Sequence, residues 1–184
     1  KKHVINYHFK EEGEVIGSVT LRLDATVLGF GILAEDSGYE VKQGVPASRV
    51  VKEFLEDNGF APSYSSSLDV GFYLQRVSCS DAFSGAAIPE ELQTLLTLDG
   101  LTVRQPEGYK DSLGEFDYTQ GSGWMCSVNG YYPGRGLSNV FLGDGDVVTI
   151  AFTLAYGKDI GGADAANVRG NLRTYCGTWL GDRY

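Results

Sequence analysis

The chain has 184 residues, enough to bury the core of one domain with embellishments, or of one domain and a tail. Its 24 Asp and Glu outnumber 15 Lys and Arg, and the formal net charge of −9 repels phosphate backbones and anionic lipid surfaces, which argues against nucleic acid as a partner. No apolar run approaches the roughly 18 residues of a membrane-spanning helix, so no span is predicted. The 25 glycines and 11 tyrosines beside a single Met and two His favour strands and turns over helices. The chain opens Lys1-Lys2-His3 without a methionine, which points to a mature fragment whose signal peptide or neighbouring domains have been left out.

Residues 1–17 mix charges and both histidines without a period and read as an arm or a short leading strand. From Ser18 the alternation is clean. Val19, Leu21, Leu23, Ala25 and Val27 fall on one face, with Thr20, Arg22, Asp24 and Thr26 on the other, as in a half-buried strand. Gly29-Phe30-Gly31 breaks it, and the segments from Ile32 and from Tyr39 to Lys42 supply a second strand, making an irregular hairpin. Pro46 suits the first turn of a helix whose stripe is Val50, Val51, Phe54 and Leu55, and Asn58-Gly59 stops it. Lys52 and Glu56 stand four apart on its outer side, a solvated pair worth a few tenths of a kcal/mol.

Pro62 to Ser67 reads as a Ser-rich loop, and Gly71 to Val77 as a strand rich in aromatic and β-branched residues. Pro89 opens a second, short helix with Ile88, Leu92, Leu95 and Leu96 on one side and Asp99-Gly100 at its end. From Leu101 to Gly114 the pattern dissolves into a long loop. Trp124, Cys126 and Val128 then alternate with Met125, Ser127 and Asn129 in a half-buried strand that runs into Asn129-Gly130, a pair that accepts positive φ at little cost and marks a tight hairpin turn. Tyr131, Tyr132 and Pro133 leave that turn. Gly143-Asp144-Gly145-Asp146 precedes the clearest strand, with Val148, Ile150, Phe152, Leu154 and Tyr156 on one face and Val147, Thr149, Ala151 and Thr153 on the other.

Two strands, a helix packed across them and further strands closing one mixed sheet predict an α+β fold on the β-grasp (ubiquitin-like) plan, with insertions. The expected division is an arm over 1–17, the β-grasp domain over 18–162 and a tail or linker over 163–184. No constellation predicts catalysis. Cys126 would need a base, and His3 and His8 lie in the unassigned arm. Glu90-Glu91 opens a helix, where negative charge suits the dipole. Asp144, Asp146, Asp159 and Asp164 offer oxygen to calcium, but their spacing matches no EF-hand loop, and turn-making aspartates bonded to local N–H groups explain them more simply. No metal and no cofactor is assigned. Cys79, Cys126 and Cys176 allow one disulfide with a thiol left over or three free thiols, and lack the spacing of a zinc site.

Four stretches resemble a known family: Gly71-Phe72-Tyr73-Leu74, Leu113-Gly114-Glu115-Phe116-Asp117-Tyr118, the segment from Gly121 through Trp124-Met125-Cys126-Ser127-Val128-Asn129-Gly130, and Gly143-Asp144-Gly145-Asp146-Val147-Val148. They are similar to a bacterial domain family of unknown function that itself resembles the C-terminal domain of transcobalamin and intrinsic factor. The resemblance runs from about Ser18 to Gly162, and the ending from Leu154 to Gly162 looks like members found in large surface proteins of Gram-positive bacteria. It implies a β-grasp fold of the soluble-ligand-binding type, secretion or wall attachment, and a place in a longer surface protein with flanking domains. In the vitamin carriers this domain covers one face of cobalamin while a separate helical domain holds the other; the present chain contains no such helical domain. The family more often has an aromatic where this chain has Cys126.

The candidate ligand-binding residues are Tyr131, Tyr132, Trp124, Tyr73 and Tyr118, because aromatics give large contact area at little entropic cost. The alternative for each is core or turn packing, which the strand phase favours for Trp124. The function expected is that of a noncatalytic extracellular module recognising a small molecule, a glycan or a protein. The rivals are a structural spacer or adhesion-stalk unit without a ligand, and a corrinoid binder.

Overall fold

The structure, a computed structural model, describes residues 13–162. The tail expected at 163–184, most of the arm, both histidines, Asp164 and Cys176 lie outside the described residues. The chain runs β1 (Val15–Asp24), β2 (Ile32–Lys42), α1 (Ala47–Asp57), β3 (Ala61–Ser65), β4 (Tyr73–Ser78), α2 (Glu90–Leu98), β5 (Ser112–Gly114), β6 (Gly123–Val128) and β7 (Val147–Thr153). Among the described residues the fold is α+β with two sheets: a mixed four-stranded sheet in the order β2-β1-β7-β6, and an antiparallel three-stranded sheet in the order β3-β4-β5. The first and last strands, β1 and β7, run parallel at the centre of the larger sheet, flanked by antiparallel β2 and β6.

The alternation in β1 does what its period requires. Val19, Leu21 and Leu23 are buried, while Thr20, Arg22 and Asp24 fall on the opposite face. The strand begins at Val15, earlier than Ser18, and ends at Asp24, whose carboxylate accepts hydrogen bonds from the Thr26 amide (2.8 Å) and hydroxyl (2.6 Å). That local bond turns the chain into the 3-10 turn Thr26–Leu28, closed by Gly29 at φ 83°, so Val27 is buried in a turn rather than in the strand. In α1 the stripe Val50, Val51, Phe54 and Leu55 is buried and the helix lies against β1 and β2, with the Phe54 ring edge-on to Tyr39 at 6.4 Å. Pro46 occupies the cap position just ahead of the first turn, and the Asn58 side chain donates to the Phe54 carbonyl (2.8 Å) where the helix stops.

Four expectations are corrected. The strand read at Gly71 to Val77 does not join the mixed sheet; it is β4, the centre of the smaller one. The Ser-rich stretch after Pro62 contains β3, where Pro62 pairs with Val77 on an edge strand, a place that tolerates a missing N–H. Ser112–Gly114, read as loop, is β5. Tyr156 does not extend β7: the buried Asp159 carboxylate accepts from the Leu154 amide (2.7 Å) and the Thr153 hydroxyl, turning the chain so that Tyr156 projects outward at φ 56°. Both sheets nevertheless share one apolar core, in which Leu92, Leu96 and Phe83 belong to the same cluster as Leu21, Phe54 and Ile150. Lys158 and Asp99 form an ion pair (2.8 Å) between the turn after β7 and the end of α2.

Candidate functional site

The hairpin after β6 fixes the site. Asn129 and Gly130 take φ 54° and 81°, both positive as a type I′ turn requires, and Val128 and Tyr131 exchange backbone bonds of 2.8 and 3.0 Å. The Asn129 side chain bonds on both sides, accepting from the Val147 amide (2.9 Å) and donating to Asp146 (2.8 Å). Asp146 also accepts from the Gly143 amide, and Asp144 from the Ser18 amide (3.0 Å), so these carboxylates hold the turn entering β7. Among the described residues no group of three His, Cys, Asp or Glu side chains could hold a metal ion.

Leaving the turn, the chain encloses a groove of about 170 Å³ together with β6 and the start of β4. Tyr73 and Phe72 come from the β4 segment, Trp124, Met125 and Cys126 from β6, and Tyr132, Pro133 and Arg135 from the loop beyond the hairpin. Tyr73, Trp124 and Tyr132 are thus brought together from distant parts of the sequence. Trp124 is buried at 4 % exposure, its indole N–H donating to the Leu113 carbonyl (2.8 Å) and its ring meeting Phe152 at 5.2 Å, so it is both core joint and groove floor. Tyr73 is 45 % exposed; partial burial first, and its hydrogen bond to Glu115 second, push its phenol above the ordinary value. Tyr132 is half-buried, with its hydroxyl toward the Ile160 carbonyl (3.4 Å) and its ring so close over Gly162 that a Cβ there would stand 2.6 Å from Cζ.

The remaining two candidates do not join the groove. Tyr131 is half-buried and serves the hairpin through its backbone. Tyr118 is 7 % exposed in the loop after β5, at φ 70°, and burial, reinforced by the Asp117 charge, raises its phenol. That loop is held by a two-pronged Arg76–Asp117 ion pair (2.7 and 3.2 Å) and by the Asp117 carboxylate on the Gly114 amide. Pro133 and Arg135 also line the groove and were not singled out from sequence, because residues of an irregular loop carry no period to betray their direction.

The groove offers aromatic faces and a guanidinium, and little that could attack a substrate. Burial pushes the Cys126 thiol up to about 12, far from the thiolate a nucleophile needs. Cys79 and Cys126 are free thiols, not bonded to each other. No helix among the described residues is long and apolar enough to cross a membrane. No protein-family model matches the chain, and neither does any curated protein.

Proposed function

We propose that the chain is a noncatalytic, extracellular binding module of β-grasp architecture, one part of a longer bacterial surface protein, which holds its ligand in the groove of Tyr73, Trp124 and Tyr132. The observation that carries this reading is the convergence of those aromatics on one concave surface from three separate segments. The β-grasp assignment is supported by the order β2-β1-β7-β6 with parallel β1 and β7 at its centre and α1 against β1 and β2, the smaller sheet and α2 being the insertion. The surface-protein context draws on the four family-like stretches between Gly71 and Val148. The raised Cys126 thiol supports binding without catalysis.

Thermal unfolding against a panel of corrinoids, haem, oligosaccharides and peptides tests the proposal, because a ligand at a hundred times its Kd adds about 2.7 kcal/mol of stability. A member of the panel should stabilise the wild type and should lose its effect in Tyr73→Ala, a half-exposed position whose truncation leaves the fold intact. No stabilisation by any of them would favour a spacer or stalk unit instead.

A further inference from the structure

The face of the larger sheet turned away from α1 holds a second concavity, a trough of about 660 Å³ across β1, β7 and β6. Its floor follows from the register. Arg22 pairs with Thr149 across β1 and β7, and Thr149 pairs with Ser127 across β7 and β6. A guanidinium and two hydroxyls therefore stand in one row, about 4.8 Å apart from strand to strand. Asp24 lies one row further along β1, and Tyr132 and Ile160 wall one end.

The charges in this trough are already answered by the protein. Arg22 is paired with Glu35, Asp24 is engaged by Thr26, and the buried Asp159 accepts from Thr153 and Leu154. A phosphate or sulfate would meet carboxylates beside the single guanidinium, while Val27, Val147, Ala151 and Ile160 give the face of a ring apolar surface to pack on. Beside that surface the trough supplies hydroxyls and the phenol ring of Tyr132, pre-ordered by its close seat over Gly162. Its volume lies within the roughly 300–1,000 Å³ of small-ligand sites.

We infer that this trough binds a neutral polyhydroxylated ligand, a short oligosaccharide whose hydroxyls take up the row of Arg22, Thr149 and Ser127 and whose ring packs on Tyr132. The inference rests on reading the chain as a binding module, and it adds a second site on the sheet face, beside the groove.

Calorimetric titration of the full chain with chitotriose, cellotriose and mannotriose tests it, with a heparin tetrasaccharide and cyanocobalamin for contrast. Thr149→Tyr fills the middle of the row with a residue that suits a strand, and Arg22→Met removes the guanidinium while keeping the stem. Far-UV circular dichroism checks each fold, and if Thr149→Tyr unfolds, Arg22→Met carries the test. At least one neutral trisaccharide should bind saturably, about tenfold or more weaker in either variant and unchanged in Lys52→Gln, on the outer side of α1 and outside both concavities. Trisaccharide binding that depends on Tyr73 and ignores Thr149 and Arg22 would overturn the trough and leave the groove as the site. Binding of heparin or cyanocobalamin alone would overturn the trough while the module reading stands; binding of nothing in the panel would overturn both.

Discussion

Asn129 concentrates more of the local architecture than any other side chain in the hairpin. It sits at φ 54°, and its amide group bonds the Val147 amide and the Asp146 carboxylate. Asn129→Ala should therefore destabilise by about 2 kcal/mol, from two lost bonds and from Ala tolerating the left-handed region less well than Asn. Asn129→Gly keeps the conformation and should cost about half as much; urea unfolding separates the two, and equal costs would show that the turn angle contributes nothing. This much was legible in the sequence, because the Asn-Gly pair has few other uses between strands. The exposure of the tyrosines was not: Tyr118 and Tyr73 look alike in sequence, and only the fold of the loop after β5 buries one and exposes the other.

Cys126 gives a pH dependence of definite sign. Its thiol ionises near 9 when unfolded and near 12 in the native state because burial disfavours the thiolate. Between those values the native state holds a proton that the unfolded chain has lost, so its contribution is intact below about pH 9 and falls away as pH rises toward 12. Cys126→Ala should remove about one proton from the alkaline slope of stability against pH, read by urea unfolding from pH 8.5 to 11. At pH 8 the native thiol should react with iodoacetamide more slowly than the unfolded one; native labelling as fast as in urea would contradict its raised pKa.

Among the elements, the β1–β2 hairpin, α1, α2, β6 and β7 were legible because each has a clear period or a stop signal such as Asn58-Gly59 or Asp99-Gly100. β3 and β5 were not. β3 is a polar edge strand containing proline, and β5 has too few residues for any alternation to register. The partition into two sheets also escaped the sequence, since pairing partners are set by packing and not by the strand's own composition. The joint between them is Trp124, reaching from β6 to the Leu113 carbonyl in β5. Trp124→Phe should cost about 2–3 kcal/mol, from a lost bond, a stranded carbonyl and a smaller ring. Amide hydrogen exchange should quicken in β4 and β5 more than in β1 and β7; uniform quickening would mean the sheets unfold as one unit irrespective of this joint.

For the molecule as a whole, one core under two sheets makes the insertion part of the fold and not an appendage. Lys158 and Asp99, side chains only 21 % and 14 % exposed, link the turn after β7 to α2 across 59 residues. A double-mutant cycle on the pair should give a coupling of about 1 kcal/mol, between the values for exposed and fully buried pairs; zero coupling would show that this ion pair adds nothing to the docking of α2. The two concavities meet at Tyr132, which lines both. The groove was partly legible as a set of aromatics near a turn. The trough was not, because Arg22, Asp24 and Thr149 read as the solvent side of two strands, and only their register shows that they form a floor.

The most direct measurement is an amide and indole NMR titration of the isotopically labelled chain with the corrinoid, oligosaccharide and peptide panel, using the Trp124 indole N–H as the reporter. That proton is fixed by its bond to Leu113 and its ring floors the groove. A groove ligand should shift the Trp124 indole together with the amides of Tyr73 and Tyr132, saturably and with the rest of the spectrum unchanged. A panel that leaves all three signals in place would contradict the groove as a binding site.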